Sequence, residues 1–504
     1  MECDAVKFYE LPEDVRTAVE DRTVRPYVVI TYEADGIEQK IIRDISECEI
    51  TSYREENGGI INKGTLILDN TSRKYTPEQL PSLTPGTPVS VTYCFGDELK
   101  QYLRFTLYAD GSGFQAEADG NDGRTCTVKL IDLSEELKKQ SAQSDWNETQ
   151  TAVHCTACDS THPEKSLVHI IAARAKLTPS DITCCSLPFE ITYCAIQKSV
   201  WEELSELARA YGANLECGKD TPLSFTESPY DPDSSGENES SYLLTAADIT
   251  HYRRFDSQEE YANSIRVKYT HYTETERTEL WHFSEAPVWL DEQMNAYYPF
   301  TNTRDIERNG DEATYSVKTD DGKTRTVVYT EDIDTKETFK SNIVTKNGEE
   351  MTLVKYDTAT YRTKALLKVT APSSGALVKS MTIHGKAIVA EQNFCVYRKD
   401  DAEIQKRGLA VLNDTNRYLS DTEYNGTEQY KVYAEKLLER RKKLYRCYFV
   451  KTNKALVHAR AGACMSIQLG ADGNGTPIET EITELTLRYK KDAAFETILW
   501  LKTR

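Results

Sequence analysis

Short β-rich runs separated by turn signals recur along this chain and constrain its fold more than any other feature. The first two runs, 27–32 and 37–42, flank Asp35-Gly36, and Asp-Gly favours the tight turn of a β-hairpin. Five further runs follow at 49–53, 65–68, 89–93, 103–107 and 126–131. This spacing is typical of a small sandwich or barrel. We therefore predict a first β-barrel over residues 27–133.

The middle of the chain has a different apolar spacing, with intervals of three to four residues that predict helices. The best-marked helix begins at Ser199, which forms a capping box with Glu202, and ends at Gly212, where a left-handed residue closes a helix. The polar run 231–241 then marks a loop and a boundary. These patterns predict a mixed α/β domain over residues 134–245.

Strand patterns resume after residue 245 and predict a second β-domain over residues 246–504. Within it, residues 309–370 alternate polar and apolar side chains and contain the turns Asp321-Gly322 and Asn347-Gly348, so we predict an insertion of hairpins. Two helices at 400–418 and 427–443 and strands at 444–452, 463–469, 479–489 and 495–501 are predicted to follow. The predicted fold class is α+β and predominantly β, with two small β-barrels flanking the mixed domain.

The N-terminal segment, residues 1–26, carries mixed charge with little periodicity and ends at Pro26. We predict an arm that lies on a neighbouring subunit. The first four residues include two acids and no run approaches 18 apolar residues, so neither a secretory signal nor a membrane span is predicted. Assembly in a cytoplasm is the expectation.

The charge balance limits the possible partners. The chain has 61 Lys and Arg against 81 Asp and Glu, a formal net charge of −20, which argues against a sequence-independent grip on nucleic acid. The small basic run 440–443 is expected in the last turn of a helix, where cations complement the helix dipole.

One group of residues suggests a metal site. Cys155, Cys158 and His162 can supply thiolate and imidazole ligands to zinc, and Cys184 can complete the four. The alternative is a loop of reduced thiols, which the missing second Cys-x-x-Cys spacing and the odd count of 13 cysteines favour. Metal analysis decides: less than about 0.2 zinc per chain rejects the site.

Motifs for catalysis do not occur in this sequence. Gly-x-Ser-x-Gly, His-Glu-x-x-His and a phosphate-binding glycine loop are missing. Carboxylate pairs such as Glu202-Glu203 are expected on a solvated surface, since acid–base catalysis needs a pair set across a cleft. We therefore predict a protein that is not an enzyme, with no catalytic or cofactor-binding residues.

Three stretches carry a resemblance. In the first, a strand ends in Asp69-Asn70 and is followed by Tyr75-x-Pro77 and a Pro85-Gly86 entry to the next strand. The second is the capped helix from Ser199 with its following strand, and the third combines residues 434–438 with the strand after Gly462. In this order they resemble the hub family of phage tails, which includes the baseplate hub of contractile phages and the tail-associated hub of long-tailed phages. The insertion at 309–370 and the cysteine-rich stretch 154–194 depart from it.

The resemblance implies a trimer whose two barrels per subunit form a six-fold-like ring in the virion tail. Implied partners are a tail tube or distal tail protein, a tape measure protein and a spike or fibre protein, and DNA can pass through an acidic lumen. Two alternatives remain open. One is a tail-associated cell-wall hydrolase, for which little chain remains before Arg504, and the other is a receptor- or carbohydrate-binding tail protein using residues 309–370.

Overall fold

The structure is a computed structural model. It describes residues 8–20, 25–55, 58–72, 74–75, 86–96, 100–110, 115–119, 123–142, 150–217, 221–227, 242–257, 261–274, 278–283, 288–290, 295–299, 304–309, 312–318, 324–330, 339–345, 350–351, 355–357, 366–370, 376–422, 428–470 and 475–503.

The first module is a set of strands between two short helices. Its elements are α1 (Glu13–Glu20), β1 (Pro26–Ala34), β2 (Ile37–Ile41), β3 (Ile45–Arg54), β4 (Gly59–Asp69), β5 (Pro88–Phe95), β6 (Gln101–Ala109), β7 (Gln115–Asp119), β8 (Gly123–Ile131) and α2 (Leu133–Lys139). The predicted hairpin is confirmed, because β1 and β2 pair antiparallel with Ala34 opposite Ile37. Asp35 and Gly36 between them have φ of 52° and 74°, as the Asp-Gly turn requires.

The middle of the chain mixes helices and short strands. Its elements are β9 (Gln150–Cys158), α3 (Leu167–Ala172), β10 (Ile182–Cys184), β11 (Leu187–Ile196), α4 (Val200–Tyr211), β12 (Ala213–Glu216) and β13 (Leu223–Glu227). The predicted capping box at the start of α4 is confirmed, since the side chains of Ser199 and Glu202 each bond the other's backbone N–H. Gly212 closes α4 with φ 67° in the left-handed region, also as predicted.

The last part of the chain is mostly strand. It contains β14 (Leu243–Thr245), β15 (Ile249–Ser257), β16 (Ser264–Glu274), β17 (Thr278–Phe283), β18 (Val288–Leu290), β19 (Asn295–Pro299), β20 (Arg304–Asn309), β21 (Glu312–Lys318), β22 (Thr324–Thr330), β23 (Phe339–Thr345), β24 (Glu350–Met351), β25 (Lys355–Asp357), β26 (Leu366–Thr370), β27 (Ala376–Lys399), α5 (Asp401–Arg407), β28 (Val411–Thr422), α6 (Gln429–Arg441), β29 (Tyr445–Thr452), β30 (Cys464–Gln468), β31 (Ile478–Lys490) and β32 (Glu496–Thr503). No helix in these ranges is long and apolar enough to cross a membrane.

Within the predicted insertion, strands β21 and β22 pair antiparallel, as in a hairpin, and β21 also pairs antiparallel with β20, which lies just before the insertion. The predicted turns at Asp321-Gly322 and Asn347-Gly348 lie outside the described residues. The basic run at 440–443 begins in the last turn of α6, where Arg440 and Arg441 lie, as predicted.

The predicted helix at 400–418 is wrong beyond Arg407. Gly408, with φ 84°, follows the last residue of α5, and residues 411–422 form β28. β28 pairs in parallel with β16 and buries Tyr418 and Leu419. Strand formation depends strongly on such pairing and burial, which local helical spacing does not reveal.

Strands from both ends of the chain form one sheet. Antiparallel pairings lead from β2 through β1, β5, β6, β8, β4, β3, β31, β32 and β29 to β15. The pairing of β3 with β31 joins the first module to the last, with the buried side chains of Ile50 and Leu487 opposite each other. The predominantly β, α+β class is confirmed. The described pairings contain no closed barrel, so the two-barrel arrangement stays a prediction.

The described residues form two hydrophobic cores. The first fills the sheet that the two end modules share, while the second joins α2, α3, α4 and β9–β13 to side chains of β16, β28 and α6. Trp201 of α4 is buried in the second core, and a Cβ at Gly59 would lie 2.6 Å from its ring. Glycine at this position therefore lets β4 pass close to α4.

The N-terminal segment packs on its own chain. The apolar side chains of this segment are buried in the first core: Phe8, Leu11, Val15, Ala18 and Val19. The Tyr9 N–H also donates to the carbonyl of His458 at 2.9 Å. The apolar face of residues 8–20 is therefore covered within the chain, and the predicted contact with a neighbouring subunit stays a prediction.

Candidate functional site

Four parts of the chain meet at one buried group of charged and aromatic side chains, here called the junction cluster: Tyr9, Arg104, Glu216 and Arg460. The Tyr9 hydroxyl donates to Glu216 Oε1 at 2.9 Å, and Arg460 donates to the other carboxylate oxygen of Glu216. The guanidinium carbons of Arg104 and Arg460 each lie 4.4 Å from the centre of the Tyr9 ring. The cluster thus links the N-terminal segment, β6, β12 and the loop before β30.

The charges of the junction cluster are largely removed from water. Glu216 and Arg104 are each 2% exposed, and Nη2 of Arg104 donates to the Ala459 carbonyl at 3.0 Å. Burial, and then the charge of Glu216, raise the pKa of Tyr9 well above its ordinary value. The hydroxyl therefore stays protonated and remains a donor at neutral pH. Such a buried network fixes the position of each partner and favours a structural joint over a reacting centre.

His458 lies beside the junction cluster. The edges of its ring contact Phe8 and Tyr242, with ring centres 5.0 Å and 5.6 Å away. Burial, followed by the nearby charges of Arg104 and Arg16, lowers the pKa of His458 to about 4. The imidazole is therefore neutral at pH 7, where it packs as an aromatic side chain against the N-terminal segment.

A second ionic contact joins the end modules directly. Arg54 of β3 donates to Glu481 of β31 at 2.7 Å, and the two side chains are 12% and 11% exposed. On the same strand pair the hydroxyls of Thr51 and Thr486 lie 2.9 Å apart. The strand pairing between the modules is thus reinforced by side-chain contacts that cross it.

The predicted zinc ligands are only partly brought together. The Cys155 thiol lies 3.8 Å from the Ile191 carbonyl, to which it donates, and the His162 ring is exposed beside Asp159 at 3.2 Å. Cys158 and Cys184 form a hydrogen-bonded pair, which raises the pKa of Cys158 and lowers that of Cys184. Across the described ranges, no three His, Cys, Asp or Glu side chains form a metal-binding group.

The zinc hypothesis therefore stays a prediction for metal analysis. The described cysteines form no disulfide, in agreement with the expectation of thiols.

None of the junction residues stands out locally in the sequence. Arg104 lies in a strand-like run, Glu216 ends a strand after α4, and Tyr9 and Arg460 lie in segments without periodicity.

The overall path of the chain is similar to that of several solved structures. A 43 kDa tail protein of prophage MuSo2 from Shewanella oneidensis matches at 10% identity and a TM-score of 0.47, covering 94% of this chain and 98% of that one. A tail protein from Neisseria meningitidis matches at 10% identity and a TM-score of 0.47, covering 95% and 96%. These neighbours are phage tail proteins.

A further neighbour is an E. coli component of the type VI secretion system, described as structurally similar to T4 bacteriophage tail proteins. It matches at 10% identity and a TM-score of 0.36, covering 92% of this chain and 74% of that one. No protein-family model matches the sequence, and no curated protein matches it. At these identities the likeness concerns the course of the chain alone.

Proposed function

We propose that this protein is a structural hub at the tip of a phage tail or a phage-like injection machine, and that it is not an enzyme. The observation that carries the proposal is the pairing of β3 with β31. This pairing makes one sheet of the first and last modules, so each copy presents two sheet-rich modules side by side. Such a subunit is suited to building a wall, because its strands already continue from one module into the next.

The three hub-like stretches of the sequence support the proposal by the elements that they form. The Asp69-Asn70 stretch ends β4 and leads toward β5. The capped helix is α4, which packs against β4 at Gly59 and Trp201. The final stretch runs from α6 to β30, after Gly462 with φ 81°. The second and third stretches therefore lie where the sheet of the end modules meets the mixed middle of the chain, while Asp69-Asn70 lies at the opposite end of β4 from Gly59.

The proposed assembly is a homotrimeric ring in the virion tail. Two modules per copy present six similar units, which match a hexameric tube or distal tail protein on one side and a three-fold spike or fibre protein on the other. A tape measure protein and the DNA pass through the lumen in this proposal. The net charge of −20 suits a lumen that repels phosphates, because like charges keep DNA from adhering.

The native mass of the purified protein, together with electron micrographs of labelled particles, tests this proposal. We expect the mass of three chains and label confined to the tip of the tail. Label along the length of the tail, or none on the particle, would contradict the position. Clearing of peptidoglycan by the purified protein would contradict the non-enzymatic role and favour a wall hydrolase.

A further inference from the structure

Both ends of the continuous sheet are open in the described part of the chain. There, β15 pairs with β29 alone and β2 pairs with β1 alone. An open edge presents unpaired backbone N–H and C=O groups, which makes it a template for another strand. The described residues of each copy thus present two open edges, at opposite ends of one strand order.

The outward backbone groups of β2 follow from its register. A two-residue turn makes Ala34 and Ile37 the first hydrogen-bonded pair, and such pairs alternate along an antiparallel hairpin. The N–H and C=O groups of Glu38 and Lys40 therefore point away from β1. The side chains at 37–40 are exposed as well, Ile37 by 62%.

The edge at β15 has an apolar patch beside it. Trp500 of β32 lies 5.0 Å from the ring of Phe449 and 5.6 Å from that of Phe255. Trp500 is still 37% exposed, and Tyr252 on β15 itself is 50% exposed. Tyr252 lies on the open edge itself, whereas Trp500 lies two strands in and on the opposite face of the sheet. An exposed aromatic side chain on an open edge suits a contact surface, where its ring buries a large area at low entropic cost.

The charges at the two edges are complementary. Cations dominate on β15 and its neighbour β29, with one acid, Asp256: Arg253, Arg254, Arg446 and Lys451. Acids dominate on the β1–β2 hairpin, with one cation, Lys40: Glu33, Asp35 and Glu38. On a chain of net charge −20, this basic edge fits the acidic edge of a second copy.

We propose that β15 of one copy pairs with β2 of the next, so that the sheet continues from subunit to subunit. The contact joins two different surfaces, and a head-to-tail contact of this kind generates a ring when the rotation closes. The inference rests on the proposed trimeric hub and names the surfaces that hold it together. Tyr252 on the edge strand becomes buried in the contact, and Arg253 and Arg254, on opposite faces of β15, lie beside the acids of the neighbouring hairpin.

Lys40→Pro tests the edge directly. Proline removes the outward N–H of residue 40 while leaving the hydrogen-bonded pairs of the hairpin intact. We expect native mass measurements to show single chains and association weakened about tenfold or more, with the circular dichroism spectrum unchanged. Lys40→Ala keeps the N–H and is the matched control, for which trimers are expected to persist.

A cross-linking experiment gives an independent readout. The cysteine substitutions Gln39→Cys and Arg253→Cys place thiols near the middles of the two strands, which meet whichever way the strands run. A short thiol-reactive cross-linker is expected to give covalent trimers from the double variant. A mixture of the two single variants is expected to give covalent dimers at most, and the parent chain is expected to give neither product. If Lys40→Pro still forms trimers and the double cysteine variant is not cross-linked, this interface is overturned, while the proposed hub stands. A monomeric parent chain would overturn the ring itself.

Discussion

Replacing Glu216 with alanine is expected to lower the free energy of unfolding by about 3–5 kcal/mol, the loss typical when one partner of a buried ion pair is removed. Arg460, with a side chain 12% exposed, then keeps a charge without its carboxylate. The Tyr9 hydroxyl loses its acceptor at 2.9 Å, and the N-terminal segment loses its bond to β12. Chemical denaturation followed by tryptophan fluorescence measures the change.

Two controls separate this effect from ordinary loss of charge. Glu216→Gln keeps an acceptor for Tyr9 and is expected to lose less than the alanine variant. Glu435, which pairs with Arg398 at 2.8 Å while 58% exposed, is the matched surface site. Its replacement by alanine is expected to cost less than about 1 kcal/mol. Equal losses at Glu216 and Glu435 would show that the junction cluster does not hold the modules together.

Lowering the pH from 7 to 4 is expected to destabilise the protein by about 3 kcal/mol through His458 alone. The pKa of this imidazole is about 4 in the folded chain and about 6.5 when unfolded. Between these values the unfolded chain binds more protons, so stability rises with pH. The full contribution is present above pH 6.5 and is lost as the pH falls toward 4.

The measurement is the difference between the parent chain and His458→Gln, because many carboxylates titrate in the same range. We expect the glutamine variant to lose about 3 kcal/mol less stability over this interval. His251, an exposed histidine on β15, is the matched site for the same substitution. A parallel pH dependence of the parent and His458→Gln would rule out a buried neutral His458. The rate of proteolysis near residues 8–20 should rise as the pH falls to 4, with the same pH dependence as the loss of stability, since Phe8 packs on the His458 ring.

Features that depend on local physics could be predicted from the sequence. The Asp35-Gly36 turn needs only two residues that accept positive φ, and both have it. The α4 capping box needs a serine and a glutamate three positions apart. The last strands, β29 to β32, also lie close to their predicted ranges, because they carry strong β-forming residues on a buried face.

How these elements join depends on contacts that form only in the tertiary structure. Residues 411–422 form a strand because they pair with β16. β3 pairs with β31, which lies more than 400 residues further along the chain. Tyr9, Arg104, Glu216 and Arg460 form one cluster although each belongs to a different part of the chain. Strand pairing and the burial of charged side chains depend on which surfaces come into contact on folding. The spacing of residues along the chain does not show those contacts.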